Sequence, residues 1–200
     1  MDNNYIFQYW EAIQNGTVTV GKWIKTIYEI LVNGLKSGKW DFDEEKANKA
    51  INFIENFCHH SEGRNDLLKL ELWQKAIVSA IFGIMDKRTG YRQFREVFIV
   101  VARKNGKTLF AAAIAAYMAY IDGEYGAKVY FLAPKLDQAD LVYDAFYQIV
   151  QADDELDSIT KKRRSDIYIK EFNTSVKKIA FNSKKSDGFN PQTVSYTHLT

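Results

Sequence analysis

Residues 98–120, with the sequence FIVVARKNGKTLFAAAIAAYMAY, decide the fold class of this 200-residue chain. The stretch begins with a short apolar run, breaks into the polar segment RKNGKT and returns to small apolar residues at helical spacing. Residues 95–101 are largely β-branched and apolar, which predicts a strand buried on both faces of a parallel sheet. Residues 108–120 are predicted to form a helix. A strand, a tight polar turn and a helix in this order are the parts of a phosphate-binding loop.

The polar segment supplies the groups that phosphate binding requires. Gly106 has no Cβ, so the backbone can approach phosphate oxygens closely. Lys107 adds a full positive charge for the outer phosphates, and Thr108 carries a hydroxyl of the kind that binds magnesium. The match to the pattern G-x-x-x-x-G-K-[ST] is incomplete, because Val101 occupies the first glycine position. A solvated basic turn therefore stays open as an alternative on these residues alone.

Strand-like and helix-like segments alternate after this loop. Residues 127–133 are predicted to form a second buried strand, residues 136–150 a helix, and residues 167–172 and 177–181 two shorter strands. This alternation predicts an α/β layer built on a parallel sheet.

The first part of the chain has helical periodicity instead. Helices are predicted over residues 5–14, 22–35 and 67–82, and a further one is capped by Asp41 or Asp43. The apolar stripe of the second helix consists of Trp23, Ile27, Ile30, Leu31 and Leu35. We therefore predict a helical segment over residues 1–85 and an α/β domain over residues 86–200.

Composition narrows the functional classes. A formal net charge of +2 gives no overall basic field, so any nucleic-acid contact must come from a local patch. The single cysteine, Cys58, excludes an internal disulfide and fits a reducing compartment. The N-terminus lacks the features of a signal peptide, and the longest apolar stretch is too short to span a bilayer. We expect a cytoplasmic protein that is not embedded in a membrane.

Several blocks of the sequence, in the right order, resemble the large terminase subunits of tailed phages, the motors that pump DNA into procapsids. The loop ARKNGKT resembles their deviant phosphate loop, and LELWQKAIVSAIFG resembles the motif that contributes a glutamine beside the adenine. Similar blocks are YWEAIQNGTVTVGKWIKTIYEIL, TGYRQFREVFIVVARKNGKT, IDGEYGAKVYFLAPKLDQADLVYDAF and DGFNP at residues 187–191. The resemblance covers most of the chain.

This resemblance implies a phosphate-loop ATPase of the additional-strand type, with a mostly parallel sheet behind an N-terminal helical segment. ATP and Mg²⁺ are the implied ligands, with Thr108 holding the metal through ATP. Arg103 and Lys107 are the implied catalytic residues, and Gln74 would bind the adenine edge through its amide. The implied nucleotide-binding loop consists of Ala102, Arg103, Lys104, Asn105, Gly106, Lys107 and Thr108.

The resemblance also implies partners and a setting. These are double-stranded DNA, a terminase small subunit, a portal or procapsid, and further copies of the chain in a ring, all within the host bacterial cytoplasm. A full-length relative would also be an endonuclease.

The sequence departs from the family after Val194, where SYTHLT stands in place of an apolar strand that ends in Asp-Glu. We expect that the chain is truncated, that residues 195–200 are foreign, and that hydrolysis is weak without the acidic pair. Two other functions stay open: a different phosphate-loop NTPase such as a helicase-like ATPase, and a non-catalytic nucleotide-binding module.

Three further clusters and one residue each have a plain structural interpretation beside a functional one. We interpret Cys58-His59-His60 as a helix end rather than a metal site, because adjacent helical residues point in different directions. The run 161–164, KKRR, is interpreted as a solvated turn, with DNA phosphates as the alternative. The acidic residues at 153–157 are interpreted as a solvated loop. Gln138 is left open between a coupling role and a plain helix start.

Overall fold

The computed structural model describes residues 4–60, 63–180 and 193–196. These form two compact units, the first made of residues 1–55 and 69–100 and the second of residues 56–68 and 101–200. Helices and a mixed sheet are both present, which confirms the predicted α/β fold class. Among the described helices, none combines the length and hydrophobicity needed to cross a membrane.

The first unit is mainly helical. Its elements are α1 (Tyr5–Gln14), α2 (Lys22–Lys36), β1 (Asp41–Phe42), α3 (Glu44–Phe57), α4 (Leu72–Gly83) and β2 (Ile84–Met85). Helix α1 begins where the Asn4 side chain accepts a hydrogen bond from the backbone N–H of Ile6 at 3.0 Å. Helix α3 begins at Asp43, whose carboxylate accepts from the backbone N–H of Lys46 at 2.9 Å, so Asp43 is the cap.

The core of this unit lies between α1, α2 and α4. Tyr9 and Tyr28 meet edge to face with ring centroids 4.7 Å apart, and Trp40 packs in the same way on Phe94. The Trp40 ring lies directly on Gly34, where no Cβ would fit. The remaining buried members of the cluster are Ile6, Ile13, Leu31, Val32, Ala76 and Ile84.

The predicted apolar stripe of α2 is wrong in part. Leu31 is buried, but Trp23, Ile27 and Ile30 are exposed at 71%, 50% and 54%. The apolar arc of α2 is wider than the area its neighbours cover, and Tyr28 and Val32 fill the buried side instead.

The second unit is a sheet with helices packed on it. Its elements are α5 (Lys107–Tyr120), β3 (Lys128–Ala133), α6 (Leu136–Ala152), α7 (Asp154–Ile159), β4 (Thr160–Lys162), β5 (Ile167–Ile169), β6 (Thr174–Ala180) and β7 (Thr193–Tyr196). The strand order is β4-β5-β6-β3-β7. Strand β3 pairs in parallel with β6 and β7, whereas β4, β5 and β6 pair antiparallel. The sheet is therefore mixed, with its parallel part around β3.

One face of this sheet is covered by α6. Phe131 of β3 packs against Tyr143 and Phe146 of α6, with ring centroids 6.4 and 5.9 Å apart. Helix α5 packs beside α6, since Tyr120 stacks on Phe146 at 6.4 Å. The alanines of α5 are buried almost all round, and such small side chains permit close packing of a helix.

The predicted strand over residues 95–101 is wrong. These residues form no strand in the described part of the chain, and Phe98 and Val100 are 93% and 77% exposed. A β-branched apolar run becomes a strand only where neighbouring backbone pairs with it, and none of the described ladders includes this segment. The start predicted for the fourth helix is also wrong, because residues 67–71 lie outside any helix and α4 begins at Leu72.

The acidic residues at 153–157 form a helix rather than the predicted loop. The Asp153 carboxylate accepts from the backbone N–H groups of Glu155 and Leu156 at 3.1 and 3.0 Å and so caps α7. Acidic side chains in the first turn of a helix are stabilised by the helix dipole. The DGFNP motif lies outside the described residues.

Candidate nucleotide-binding site

The loop at residues 102–106 leads directly into the N-terminus of α5. Gly106 is the residue before the helix and has a left-handed backbone with φ of 66°. Lys104 is also left-handed, with φ of 67°, which is uncommon for a residue with a Cβ. Alternation into the left-handed region turns successive backbone N–H groups towards one side, and such concavities bind anions.

The side chain of Asn105 forms hydrogen bonds to the backbone of this loop. Its amide nitrogen donates to the backbone oxygens of Ala102 and Arg103, both at 3.2 Å. These bonds use carbonyl groups of the loop, so its own side chain closes the turn.

Helix α5 begins without a side-chain cap. The first intrahelical bond runs from the N–H of Phe110 to the oxygen of Gly106 at 2.9 Å. The N–H groups of the first turn before Phe110 therefore lack helical partners. Together with the positive end of the helix dipole, they form a site suited to phosphate.

The side chains around the loop carry the charge. Arg103 and Lys104 are exposed, and Lys107 and Thr108 are half-buried in the first turn of α5. Lys107 is the first residue of α5. The sequence-predicted residues 102–108 are thus brought together in one continuous turn.

Gln74 lies in the first unit and is 8% exposed. Its side-chain oxygen accepts from the backbone N–H of Glu71 at 2.9 Å, and the Glu71 side chain bonds back to the backbone of Gln74. This reciprocal pair is a capping box at the start of α4. The oxygen accepts this one bond and has a second lone pair, so the oxygen and the amide N–H₂ group both keep hydrogen-bonding capacity for a ligand.

The role of Glu71 was missed by the sequence reasoning. The signal is a polar residue followed three positions later by Gln, directly before an apolar run. Gln138 lies in the first turn of α6, and its side-chain oxygen is buried without a partner among the described residues.

The other clusters are accounted for by local bonds. The His59 ring nitrogen lies 2.9 Å from the oxygen of Asn65, and His60 lies 2.6 Å from the Arg64 guanidinium. No group of three or more potential metal ligands occurs in the described parts of the chain. Arg163 forms two bonds of 2.7 and 2.8 Å to the Asp166 carboxylate, so this member of the KKRR run is engaged within the turn.

Comparison with known proteins finds similarity to a family model and to a solved structure. Residues 72–199 match the family model of the terminase large subunit, ATPase domain. The structure is similar to the crystal structure of the HK97 bacteriophage large terminase, with a TM-score of 0.64 and 23% sequence identity. The match covers 76% of this chain and 30% of that chain, so this chain spans about a third of that protein, and the likeness shows the fold. Among the curated proteins none matches this sequence.

Proposed function

The chain belongs to the terminase large subunits, whose ATPase domain it carries, and we propose that it binds ATP as part of a viral DNA-packaging motor. The observation that carries this proposal is the uncapped N-terminus of α5 behind a loop with two left-handed residues, Lys104 and Gly106. Such a loop offers convergent backbone N–H groups to phosphate oxygens.

The nucleotide-binding residues have separate tasks. The backbone of Ala102, Asn105 and Gly106 shapes the loop around the phosphates, and the Lys107 ammonium neutralises the outer ones. Arg103 would contact the γ-phosphate, where a guanidinium can form two parallel hydrogen bonds and detect the loss of that group. Gln74 would donate to the adenine ring through its amide N–H₂ group.

The residues present also fit a magnesium ion. Thr108 lies in the first turn of α5, beside Lys107, with its side chain half-buried. Its hydroxyl would be the protein ligand, and the phosphates and water would supply the other oxygens. A magnesium ion held there would supply neutralisation of the negative charge that develops on the phosphates during hydrolysis.

None of the residues assigned here is a carboxylate that could activate the attacking water. Which carboxylate activates the water is not assigned among these residues, and the proposal for this chain is ATP binding at the phosphate loop. We also propose double-stranded DNA as the substrate, and a small subunit and a portal as partners. The chain would act in a homo-oligomeric ring in the host cytoplasm. A nuclease activity is proposed only for a longer protein that contains this region.

The domain layout is likewise proposed as a helical segment over residues 1–85 and an ATPase core over residues 86–200. The Gln74 motif would then lie on the helical segment and the phosphate loop on the core.

The test measures ATP binding and hydrolysis together. Binding of a fluorescent ATP analogue with Mg²⁺ is measured for the wild type, for Lys107→Ala and for Lys49→Ala, which removes an exposed lysine from α3. We expect Lys107→Ala to weaken binding at least about tenfold, since one charge-assisted phosphate contact contributes about 1.5–3 kcal/mol. The Lys49→Ala protein is expected to bind like the wild type. Equal binding by all three proteins would refute the site.

Hydrolysis separates the three candidate functions. Turnover stimulated by duplex DNA, without strand separation, supports a packaging motor. Strand separation of a labelled duplex would support a helicase-like ATPase. Binding with no turnover in the presence or absence of DNA would support a nucleotide-binding module.

A further inference from the structure

The face of the second-unit sheet that points away from α6 carries three lysines, Lys128, Lys161 and Lys177. The register pairs Lys161 of β4 with Tyr168 of β5, Tyr168 with Ser175 of β6, and Ser175 with Lys128 of β3. Residues paired directly across a sheet point to the same face. The two lysines at the ends of this row are exposed.

Contacts on the opposite face of the sheet show to which face these lysine side chains belong. Lys162, next to Lys161, lies 4.1 Å from the Tyr147 ring of α6, and Phe131 also packs on α6. Side chains alternate along a strand, so Lys161 and Lys128 point the opposite way. Lys177 of β6, two residues after Ser175, shares their face and is half-buried.

No acidic side chain interrupts this face within the described strands. Besides the three lysines, the described side chains on this face are those of Tyr168, Ser175, Ile179, Tyr130, Leu132 and Val194, of which Tyr130 is buried. The nearest carboxylates in sequence belong to the flanking loops, at Glu124 and Glu171, and to Asp166, which is paired with Arg163. A surface with lysines and no carboxylates attracts polyanions.

Arg163 fixes the turn beside this row. Its guanidinium is held by Asp166, whose side chain is only 5% exposed, and it stacks 3.9 Å from the Tyr168 ring. The guanidinium therefore lies over the same face as Lys161. Because it is held in place by the carboxylate and the ring, it loses little conformational freedom when a phosphate approaches.

We propose that Lys128, Lys161 and Lys177, with Arg163 beside them, contact the phosphate backbone of duplex DNA. This proposal rests on the proposed function for the identity of the polyanion. Three strand spacings separate Lys161 from Lys128, a distance of about 14 Å at roughly 4.8 Å each. One strand of duplex DNA presents a phosphate about every 3.4 Å along the axis, so this row can reach several phosphates without reading a base sequence.

The test is the salt dependence of DNA binding. A fluorescein-labelled 30-base-pair duplex is titrated with the wild type and with Lys128→Ala/Lys161→Ala over a series of salt concentrations. Each lost phosphate contact lowers the slope of log K against log salt by about 0.9, so the double variant is expected to lose about 1.8. The loss should be the same for duplexes of unrelated sequence.

Two control variants test whether the loss of slope depends on the position and on the charge of these lysines. Lys25→Ala/Lys49→Ala removes two exposed lysines from α2 and α3, and we expect an unchanged slope. Lys128→Arg/Lys161→Arg keeps both charges and should retain the wild-type slope, which separates charge from misfolding. An unchanged slope in Lys128→Ala/Lys161→Ala, an equal loss in the α2/α3 variant, or no binding of the duplex by the wild type would overturn the proposal.

Failure of this proposal is distinct from failure of the proposed function. Nucleotide binding is measured on the same proteins and should not differ between Lys128→Ala/Lys161→Ala and the wild type. Suppose that Lys107→Ala weakens ATP binding while Lys128→Ala/Lys161→Ala leaves the salt dependence of DNA binding unchanged. The phosphate loop is then supported, and the proposed DNA-binding surface is refuted.

Discussion

The side-chain oxygen of Gln74 accepts a hydrogen bond from the backbone N–H of Glu71 at 2.9 Å. This bond gives Gln74 a structural task at the start of α4 in addition to the adenine contact proposed for it. One side chain thus combines an acceptor that stabilises the helix and a donor that is left for a ligand.

Two substitutions at Gln74 separate these tasks. Gln74→Glu keeps the acceptor, because glutamate serves equally in a capping box, but removes the N–H₂ donor. We expect it to unfold at nearly the wild-type temperature while its preference for ATP over GTP falls. Gln74→Ala loses both groups and should be destabilised by about 1 kcal/mol. Thermal melts and competition binding measure the two effects, and an unaltered nucleotide preference in Gln74→Glu would remove the adenine role.

The left-handed backbone of Gly106 leads to a second prediction. A Cβ at this position would meet no atom within 4 Å, so Gly106→Ala should cause only backbone strain, of about 1 kcal/mol. Gly90 has nearly the same φ, 69°, and equally open surroundings outside the loop.

Gly106→Ala and Gly90→Ala should cause similar backbone strain but differ in their effect on ATP binding. We expect Gly106→Ala and Gly90→Ala to lose similar free energy of unfolding in denaturant titrations. Only Gly106→Ala should weaken ATP binding, since the loop can no longer turn its N–H groups inward without strain. Equal nucleotide affinity in the two variants would contradict the assigned loop geometry.

Cys58 provides a reporter of the second unit. Its side chain is fully buried, and burial, with a smaller contribution from the charge of Asp153, raises the pKa of the thiol to about 12. The neutral thiol is therefore favoured by the folded state. Its contribution to stability is fully present below the pKa of the unfolded thiol, about 8.5, and is lost as the pH rises from there towards 12.

We expect a disulfide reagent at pH 8 to react slowly with the native protein and rapidly with one thiol after unfolding. The stability of the wild type should fall between pH 8.5 and 10.5 by more than that of Cys58→Ala. Rapid labelling of the native protein would show that this segment is open in solution.

The helices of the first unit could be predicted wherever an apolar stripe and a cap coincide. Residues 5–14 and Asp43 show this, since Asn4 and Asp43 both accept backbone bonds at helix starts. The exposed side of α2 could not be predicted, because periodicity identifies an apolar arc and not how much of it a neighbour covers. For the same reason residues 95–101 have the composition of a strand without forming one, as pairing depends on distant backbone.

A pair of tryptophans tests this distinction. Trp23 is 71% exposed, and Trp40 is 9% exposed and packs on Gly34 and Phe94. We expect Trp23→Ala to change the free energy of unfolding by less than about 0.5 kcal/mol and Trp40→Ala to lower it by about 3–5 kcal/mol. Comparable losses would mean that the Trp23 side of α2 is covered in solution.

The residues of the candidate site were predictable from their types and order, and their geometry was not. Gly106, Lys107 and Thr108 stand out in sequence because each has a distinct chemical task. The left-handed backbone of Lys104 has no sequence signal, since a lysine rarely adopts it. The bonds of Asn105 to Ala102 and Arg103 likewise depend on the closed shape of the turn.

Amide hydrogen exchange of the wild type with and without Mg²⁺ and ATP tests the phosphate loop most directly. If the backbone N–H groups hold the phosphates, exchange at residues 103–109 slows on binding, while residues in α3 keep their rates. If ATP binds and these amides exchange as fast as before, the nucleotide is held elsewhere and the assigned site is wrong.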